Sequence, residues 1–186
     1  VMRECAEKLK LRFNYQIFGT DLDSAAIECA RMGRFPAGIS VDVSPERLER
    51  YFSHDDGHYS VRKEIREMAV FAPQNLIKDP PFTKLDVITC RNLLIYLDAE
   101  LQKQLMPIFH YALNPGGLLM LGSSETTGQF DDWFETVDKK WKIYSRKGSS
   151  PAVHNIPEMP SMKNEDELKT AAPSSMVSQV RQSQIA

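Results

Sequence analysis

The sequence predicts an α/β fold with a mostly parallel sheet, and three observations support this fold class. Residues 15–21 have the composition of a strand and run directly into a helix-like segment, which is how an alternating α/β chain begins. Residues 84–90 are apolar almost throughout, as expected of a central parallel strand that is buried on both faces. Polar side chains follow the strand-like segments, at the edge of an open α/β sheet where ligands bind.

The segment before residue 34 predicts a helix, a strand and a second helix. Residues 1–11 look like the later turns of an amphipathic helix without a cap or an initiating methionine, so we expect an N-terminally truncated excerpt of a longer protein. After the strand, Ser24 predicts the N-cap of a short helix at 24–32. Gly33 is expected to end that helix.

A small β-subdomain is expected between about residues 35 and 68, inserted into the main sheet. Its predicted elements are a helix that starts at Ser44 and Pro45 and ends at 54–57, and strands at 59–62 and 65–71. From Val70 onward the chain should rejoin the main sheet.

The second half of the sequence predicts two further sheet strands, a long helix and a closing antiparallel pair. Asp98 can cap the helix. Pro107 lies inside it and is expected to kink it, at a local cost of about 3 kcal/mol. The apolar face of this helix is formed by Leu101, Leu105, Ile108 and Ala112. The other predicted elements are the strand at 84–90, a turn at 114–117, a strand at 118–122 and antiparallel strands at 134–137 and 141–145.

The composition changes at residue 148. Residues 148–186 are rich in Ser, Pro, Gln and Met and contain few large apolar side chains, so they cannot bury enough surface to offset their ordering entropy. We therefore expect one folded domain at 1–147, followed by a flexible linker or tail. Within this tail, 168–180 could form a weak helix on a partner.

The overall composition excludes several classes of protein. Lys and Arg total 23 and Asp and Glu total 25, for a formal net charge of -2, which argues against a nucleic-acid-binding domain. The 3 cysteines show no close pairing, which favours a reducing, cytoplasmic setting over a disulfide framework or a zinc site. No apolar run approaches the roughly 18 residues of a membrane span, and no signal peptide is present, so no membrane insertion is expected.

Polar positions follow the first two predicted strands of the main sheet. A carboxylate at Asp21 can accept both hydroxyls of a ribose; alternatively, Asp21 or Asp23 caps the next helix. The carboxamide of Asn75 can pair with the edge of an adenine, and Leu76 can pack on the base. The alternative for Asn75 is an ordinary turn.

The third strand end carries an Arg-Asn pair. Arg91 could bind a carboxylate in a fork geometry and Asn92 could hold an amine or a hydroxyl; the alternative is a structural salt bridge beside a turn-forming Asn. The hydroxyl of Tyr96 could reach a reacting centre, or Tyr96 could be a buried core residue. Three such strand ends can build one small-molecule site.

A serine hydrolase is not expected. Residues 123–125, Ser-Ser-Glu, follow a strand end but lack a Gly-x-Ser-x-Gly elbow. No histidine has a spacing that nominates it as a partner. The four histidines, which we expect on the surface or in loops, are His54, His58, His110 and His154.

These motifs, in this order, resemble the chemotaxis receptor glutamate methyltransferase family, the CheR type, over about residues 17–147. The most specific is the run Asp-Val-Ile-Thr-Cys-Arg-Asn-Leu-Leu-Ile-Tyr at 86–96. The other matching pieces are 18–23, 30–35, Leu48 with 51–52, 71–76, 113–117 and 122–125. The resemblance implies a methyltransferase-type, Rossmann-like sheet, with S-adenosylmethionine as the methyl donor and S-adenosylhomocysteine as the product.

The resemblance also implies a reaction, partners and residue roles. The reaction places a methyl group on a glutamate side chain in the cytoplasmic part of chemotaxis receptors or receptor-like sensors. The insert at about 35–68 matches the family's small β-subdomain, which is linked to receptor docking. By this resemblance, Asp21 would hold the ribose of the cofactor, and Asn75 and Leu76 would hold its adenine end. Arg91 and Asn92 would hold the cofactor nearer its amino-acid part, and Tyr96 would lie near the methyl group that is transferred.

Two expectations qualify this function. The family's glycine-rich loop and helical N-terminal domain would precede Val1, so we expect residues 1–186 alone to bind S-adenosylmethionine weakly and not to turn over, and we expect exposed sheet edges. The alternative functions are a non-catalytic signalling module of the same fold in a multidomain sensor, and a methyltransferase that acts on a small molecule.

Overall fold

The computed structural model describes residues 1–148 of the chain. The predicted tail, apart from Gly148, and its weak helix at 168–180 lie outside these residues. The helices of this part are α1 Met2–Lys8, α2 Ser24–Met32, α3 Pro45–Tyr51, α4 Lys63–Arg66 and α5 Ala99–Ala112. Its strands are β1 Ile17–Asp21, β2 Arg34–Pro36, β3 Phe52–Asp55, β4 His58–Val61, β5 Ala69–Pro73, β6 Leu85–Cys90, β7 Leu113–Leu121, β8 Phe134–Asp138 and β9 Ile143–Arg146.

The parallel strands form two separate ladders, which confirms the predicted α/β class. β1 pairs in parallel with β5, and β6 pairs in parallel with β7. The second ladder continues through the antiparallel strands β9 and β8, which confirms the predicted closing pair. Within residues 1–148, β6 has β7 as its single neighbour. It is therefore an edge strand in this part of the chain rather than the predicted central one, and Val87 is 46% exposed.

The insert forms a three-stranded antiparallel sheet in the order β2-β4-β3. Two predictions within it were wrong. The helix α3 ends at Tyr51, and His54 and Asp55 belong to β3, because the chain turns at Asp56 and Gly57, both at positive φ, to form a hairpin. The predicted strand at 65–71 is instead the one-turn helix α4 followed by β5. A helix of four residues is too short to leave a periodic pattern.

The helices that flank the parallel strands begin and end as their caps dictate. The bounds predicted for α2 are confirmed, and Gly33 ends it in the left-handed region at φ 57. The predicted cap Ser24 was wrong: Asp23 is the N-cap, and its Oδ1 accepts the N–H of Ala25 at 2.8 Å. Asp98 caps α5 as predicted, accepting the N–H of Leu101 at 2.8 Å, with Pro107 inside the helix.

One hydrophobic core lies between α5 and the sheet that contains β6 and β7. Its buried members are Cys90, Leu94, Leu105, Met106, Phe109, Leu113, Leu119, Leu121, Phe134 and Tyr144. His110, expected on the surface, is 3% exposed and lies against the rings of Trp133 and Phe134. Its pKa is lowered, chiefly because burial disfavours the charged imidazolium. None of the helices in residues 1–148 has the length and apolar content that crossing a bilayer requires.

Candidate functional site

Asp21 lies where β1 and β5 end side by side. Asp21 is paired with Pro73 in the parallel register, and the next residue, Gln74, donates its N–H to the carbonyl of Asp21 at 2.9 Å. Oδ1 of Asp21 accepts the N–H of Asp23 at 2.9 Å. The sequence left open which aspartate caps α2, and the structure assigns that role to Asp23. Asp21 is an exposed carboxylate at the carboxyl end of a parallel strand, which is the placement its predicted ribose role requires.

Asn75 forms the turn that was the predicted alternative to a ligand contact. Its Oδ1 accepts the N–H groups of Ile77 at 3.0 Å and Lys78 at 3.1 Å, and its own N–H donates to Oδ2 of Asp79 at 2.7 Å. Because the carboxamide oxygen is engaged by the backbone, the amino group is the half of the carboxamide suited to a ligand. If Asn75 contacts adenine as predicted, its amino group would be the donor and a ring nitrogen of the adenine the acceptor.

The Arg-Asn pair opens a loop that connects β6 to α5, which we call the 91–97 loop. Asn92 has φ 59, in the left-handed region that Asn tolerates better than most residues. The N–H groups of Asn92 and Leu94 donate to the carboxylate of Glu125 at 3.0 Å and 2.7 Å. The loop is thereby fixed to residues 122–125, which follow the neighbouring strand β7.

The structure decides two alternatives for this loop. Tyr96 lies in a 3-10 turn at Leu94–Tyr96 and is 42% exposed, so it is not a buried core tyrosine. Among residues 1–148, Arg91 takes part in none of the ion pairs. Its guanidinium is exposed, so a structural salt bridge does not account for it. Both side chains belong to a surface loop at the carboxyl end of a parallel strand, where ligands are bound in this class of fold.

Packing connects the two groups of candidate residues. Asp21 and the segment after β5 meet through the Gln74 hydrogen bond. Leu76 and Ile77 pack against the core cluster that contains Cys90 and Leu94. Cys90 directly precedes the 91–97 loop, and Leu94 lies within it. The turn that carries Asn75 and Leu76 is thus anchored on the same core as the loop that carries Arg91, Asn92 and Tyr96.

Glu125 is the residue of this region that the sequence analysis did not identify. It is 3% exposed, and it also accepts the N–H of Gly122 at 2.6 Å. Burial and the charge of Glu125 together raise the pKa of the Cys90 thiol to about 12. The sequence offered one signal, an acidic residue shortly after a predicted buried strand, which was considered as part of a serine-nucleophile motif and of a segment that matches the family, without a role of its own.

A cavity of about 270 Å³ lies beside the loop, between α5 and residues 124–130. Its walls include Leu94, Met106, Glu125 and Thr127. Glu125, which binds the backbone of the 91–97 loop, therefore also lines this cavity.

Comparison with known proteins gives one family over most of the chain. Residues 2–143 match the family described as CheR methyltransferase, SAM binding domain. The chain is 42% identical over 138 residues to an uncharacterized 104.1 kDa protein of Rhodobacter capsulatus, covering 73% of this chain and 14% of that protein. It is 34% identical over 131 residues to chemotaxis protein methyltransferase 1 of Pseudomonas aeruginosa, covering 69% of this chain and 48% of the relative.

The Escherichia coli chemotaxis protein methyltransferase is 33% identical over 129 residues, covering 64% of this chain and 44% of that protein. The chain therefore spans less than half the length of these curated relatives. S-adenosylmethionine is the cofactor of the matched domain. The family match over residues 2–143 agrees with the parallel strands and with the loop at the end of β6. The chain therefore belongs to the CheR methyltransferase family and represents its S-adenosylmethionine-binding domain.

Proposed function

We propose that the protein containing this chain transfers methyl groups from S-adenosylmethionine to glutamate side chains in the cytoplasmic part of chemotaxis receptors or receptor-like sensors. Relatives that bear the name chemotaxis protein methyltransferase support the reaction class. The observation that carries the proposal is the placement of Asp21, Asn75 and the 91–97 loop at carboxyl ends of parallel strands, where an adenosyl ligand would bind.

The side chains present suit the parts of this cofactor. Asp21 offers carboxylate oxygens for the two ribose hydroxyls, and Asn75 offers donor N–H groups for the adenine, against which Leu76 would pack. Arg91 and Asn92 would hold the amino-acid part, where the guanidinium can pair with a carboxylate. This assignment leaves Tyr96, at the end of the 3-10 turn in the same loop, for the region of the transferred methyl group.

The chemistry requires orientation rather than an acid or base. The cofactor supplies an activated sulfonium methyl group when it is bound. A glutamate carboxylate is already ionised near neutral pH, so no residue has to remove a proton from it. What the chain contributes is binding, alignment of the attacking oxygen and exclusion of water, which are proximity effects.

The test uses the complete natural protein with radiolabelled S-adenosylmethionine and receptor cytoplasmic segments as the methyl acceptor. We expect base-labile label on glutamate residues of the receptor. Arg91→Ala should lower incorporation by at least about tenfold, through the loss of one charge-assisted contact. Arg12→Ala, at another exposed arginine, should match the wild type. Equal incorporation by the wild type and the Arg91 variant would contradict the assigned site.

The non-catalytic signalling module is the second candidate. One observation favours it: the relative from Rhodobacter capsulatus carries the matching region as 14% of a 104.1 kDa protein, so the domain occurs within a much larger chain. This candidate predicts binding of S-adenosylhomocysteine without methyl transfer to any receptor segment. Labelled product on a receptor would exclude it.

The isolated chain of residues 1–186 is proposed to bind the cofactor weakly and to be inactive alone. The support is the family resemblance, in which a glycine-rich loop outside this sequence contributes to the site. Calorimetric titration of residues 1–186 with S-adenosylhomocysteine should give little or no heat. Tight binding by this chain would refute the proposal.

A further inference from the structure

The carboxylate of Glu125 is buried and accepts hydrogen bonds from two separate segments of backbone. Its Oε2 accepts the N–H of Gly122 at 2.6 Å and the N–H of Asn92 at 3.0 Å. Its Oε1 accepts the N–H of Leu94 at 2.7 Å. An ionised carboxylate is an acceptor with about four lone-pair sites, so three N–H donors match it well and offset the cost of its burial.

Gln102 also holds this loop, but as a hydrogen-bond donor rather than an acceptor. Its Nε2 donates to the carbonyl oxygens of Leu94 at 2.9 Å and Leu97 at 3.0 Å. Glu125 therefore binds the N–H groups of the 91–97 loop, and Gln102 binds its carbonyl groups. Both side chains reach the loop from other elements, so the conformation of the loop is set by tertiary contacts.

The conformation of this loop includes one residue, Asn92, whose backbone dihedral angles are intrinsically unfavourable. Asn92 is at φ 59, which costs free energy for any residue with a side chain unless the surroundings hold it. Its N–H is held by Glu125, and its neighbour Arg91 lies between that residue and the end of β6. The direction in which Arg91 and Asn92 leave the sheet thus depends on the Glu125 hydrogen bonds.

We infer that Glu125 is a positioning residue for the cofactor site: it holds the 91–97 loop so that Arg91 and Asn92 are presented to S-adenosylmethionine. The inference rests on the proposed function and assigns a role to a residue that does not itself touch the cofactor. It follows that changes at Glu125 weaken cofactor binding even in a protein that remains folded.

Substitution by glutamine removes the charge without changing the shape. Glu125→Gln leaves one acceptor oxygen and adds an amino group, which donates and cannot accept. In either orientation of the carboxamide, the amino group meets at least one of the three N–H groups. Glu125→Asp keeps the charge but is one methylene shorter, so it restores part of the network. Glu100→Gln on α5 is the matched control, because the Glu100 side chain is 77% exposed and pairs with Lys103.

The experiment measures amide hydrogen exchange and S-adenosylhomocysteine affinity on the complete natural protein, well below its melting temperature. In Glu125→Gln, we expect the amides of Asn92 and Leu94 to exchange at least tenfold faster and the Kd to rise about tenfold, as for the loss of a hydrogen bond to a charged group. Glu125→Asp should recover part of the affinity. Glu100→Gln should behave as the wild type in both measurements.

Each alternative result has a distinct meaning. A wild-type Kd in Glu125→Gln despite faster exchange at Asn92 and Leu94 would overturn the inference, because the loop would then be held for structural reasons alone. Unchanged exchange would overturn it as well. If Glu125→Gln does not fold, the same comparison is made with Glu125→Asp, which must show a raised Kd. A wild-type protein that binds no S-adenosylhomocysteine would overturn the proposed function, and the cofactor role of Glu125 with it.

Discussion

Gly122 and Asn92 are so close that no side chain fits between them. A Cβ on Gly122 would lie 2.7 Å from Oδ1 of Asn92, and also 2.6 Å from Oε2 of Glu125. The backbone of Gly122, directly after β7, is therefore packed against the side chain of Asn92 at the start of the 91–97 loop. This contact makes the loop and the strand end a single unit, and its consequences can be measured.

Gly122→Ala should destabilise the protein by about 1–3 kcal/mol, because the added methyl group must displace Asn92 or Glu125 from a packed region. For a domain of this size, that corresponds to a fall in Tm of roughly 2–4 °C per kcal/mol. The control is Gly38→Ala, since a Cβ there meets nothing within 4 Å. Thermal unfolding followed by circular dichroism compares the two. An unchanged Tm in Gly122→Ala would show that Asn92 and Glu125 can move aside at no cost in stability.

His110 should make the folded protein sensitive to mild acid. Its pKa is lowered in the folded state, first by burial and then by the charge of Arg146, whereas in the unfolded chain it lies near 6.5. The unfolded state therefore binds a proton more readily. The stability contributed by the neutral ring is complete above about pH 6.5 and is lost as the pH falls from there through the folded-state pKa.

The measurement is Tm between pH 8 and pH 5 for the wild type, His110→Leu and the exposed control His58→Gln. His110→Leu has no imidazole to protonate, so its Tm should fall less over this interval than that of the wild type. His58→Gln should follow the wild type. Parallel curves for the wild type and His110→Leu would mean that the buried imidazole does not contribute to the acid sensitivity.

Two of the residues that the sequence misplaced or missed, His110 and Glu125, share one property: their environment is made largely by distant parts of the chain. His110 is buried by Trp133 and Phe134, and Glu125 acts on N–H groups 31 and 33 positions away. No local pattern encodes either contact. In contrast, the bounds of α2 and the cap of α5 depend on neighbours within a few residues, and these were predicted from Gly33 and Asp98.

The same distinction applies to the candidate site. That Asp21, Asn75 and Arg91 follow strand-like segments could be read from the sequence, because alternation of strands and helices is local. That the oxygen of Asn75 is engaged by Ile77 and Lys78 could not, since the carboxamide can orient either way. The sequence therefore predicted which residues are candidates for the site, and the structure restricts which of their atoms are available to a ligand.

Cys90 should resist thiol reagents in the folded protein. Burial and the nearby charge of Glu125 raise its pKa to about 12, so at pH 8 only on the order of one thiol in ten thousand is ionised. Cys5 and Cys29 are exposed. Alkylation with iodoacetamide followed by peptide mapping should label these two within minutes and Cys90 only after denaturation. Labelling of Cys90 at a similar rate under native conditions would contradict the burial of the β6 end.

Two helix caps that look alike in the sequence should differ in their contribution to stability. Asp98 precedes α5 and its Oδ1 accepts the N–H of Leu101 at 2.8 Å. Ser44 precedes α3, but its side chain makes no capping hydrogen bond. The pKa of the nearby Glu46 carboxyl group is lowered by a backbone hydrogen bond and, after that, by a hydrogen bond with the Ser44 hydroxyl.

Replacing Asp98 by Ala should therefore lower the free energy of unfolding by about 1 kcal/mol, as for other helix caps, because the N–H of Leu101 loses its acceptor. Ser44→Ala should cost only a few tenths of a kcal/mol, because there is no cap bond to lose and α3 starts at Pro45, whose φ is already suited to a helix. Urea unfolding of the two variants beside the wild type measures both quantities. Equal losses would mean that the serine forms a capping bond in solution. A neutral Asp98→Ala would mean that α5 is held by its packing on β7 rather than by its cap.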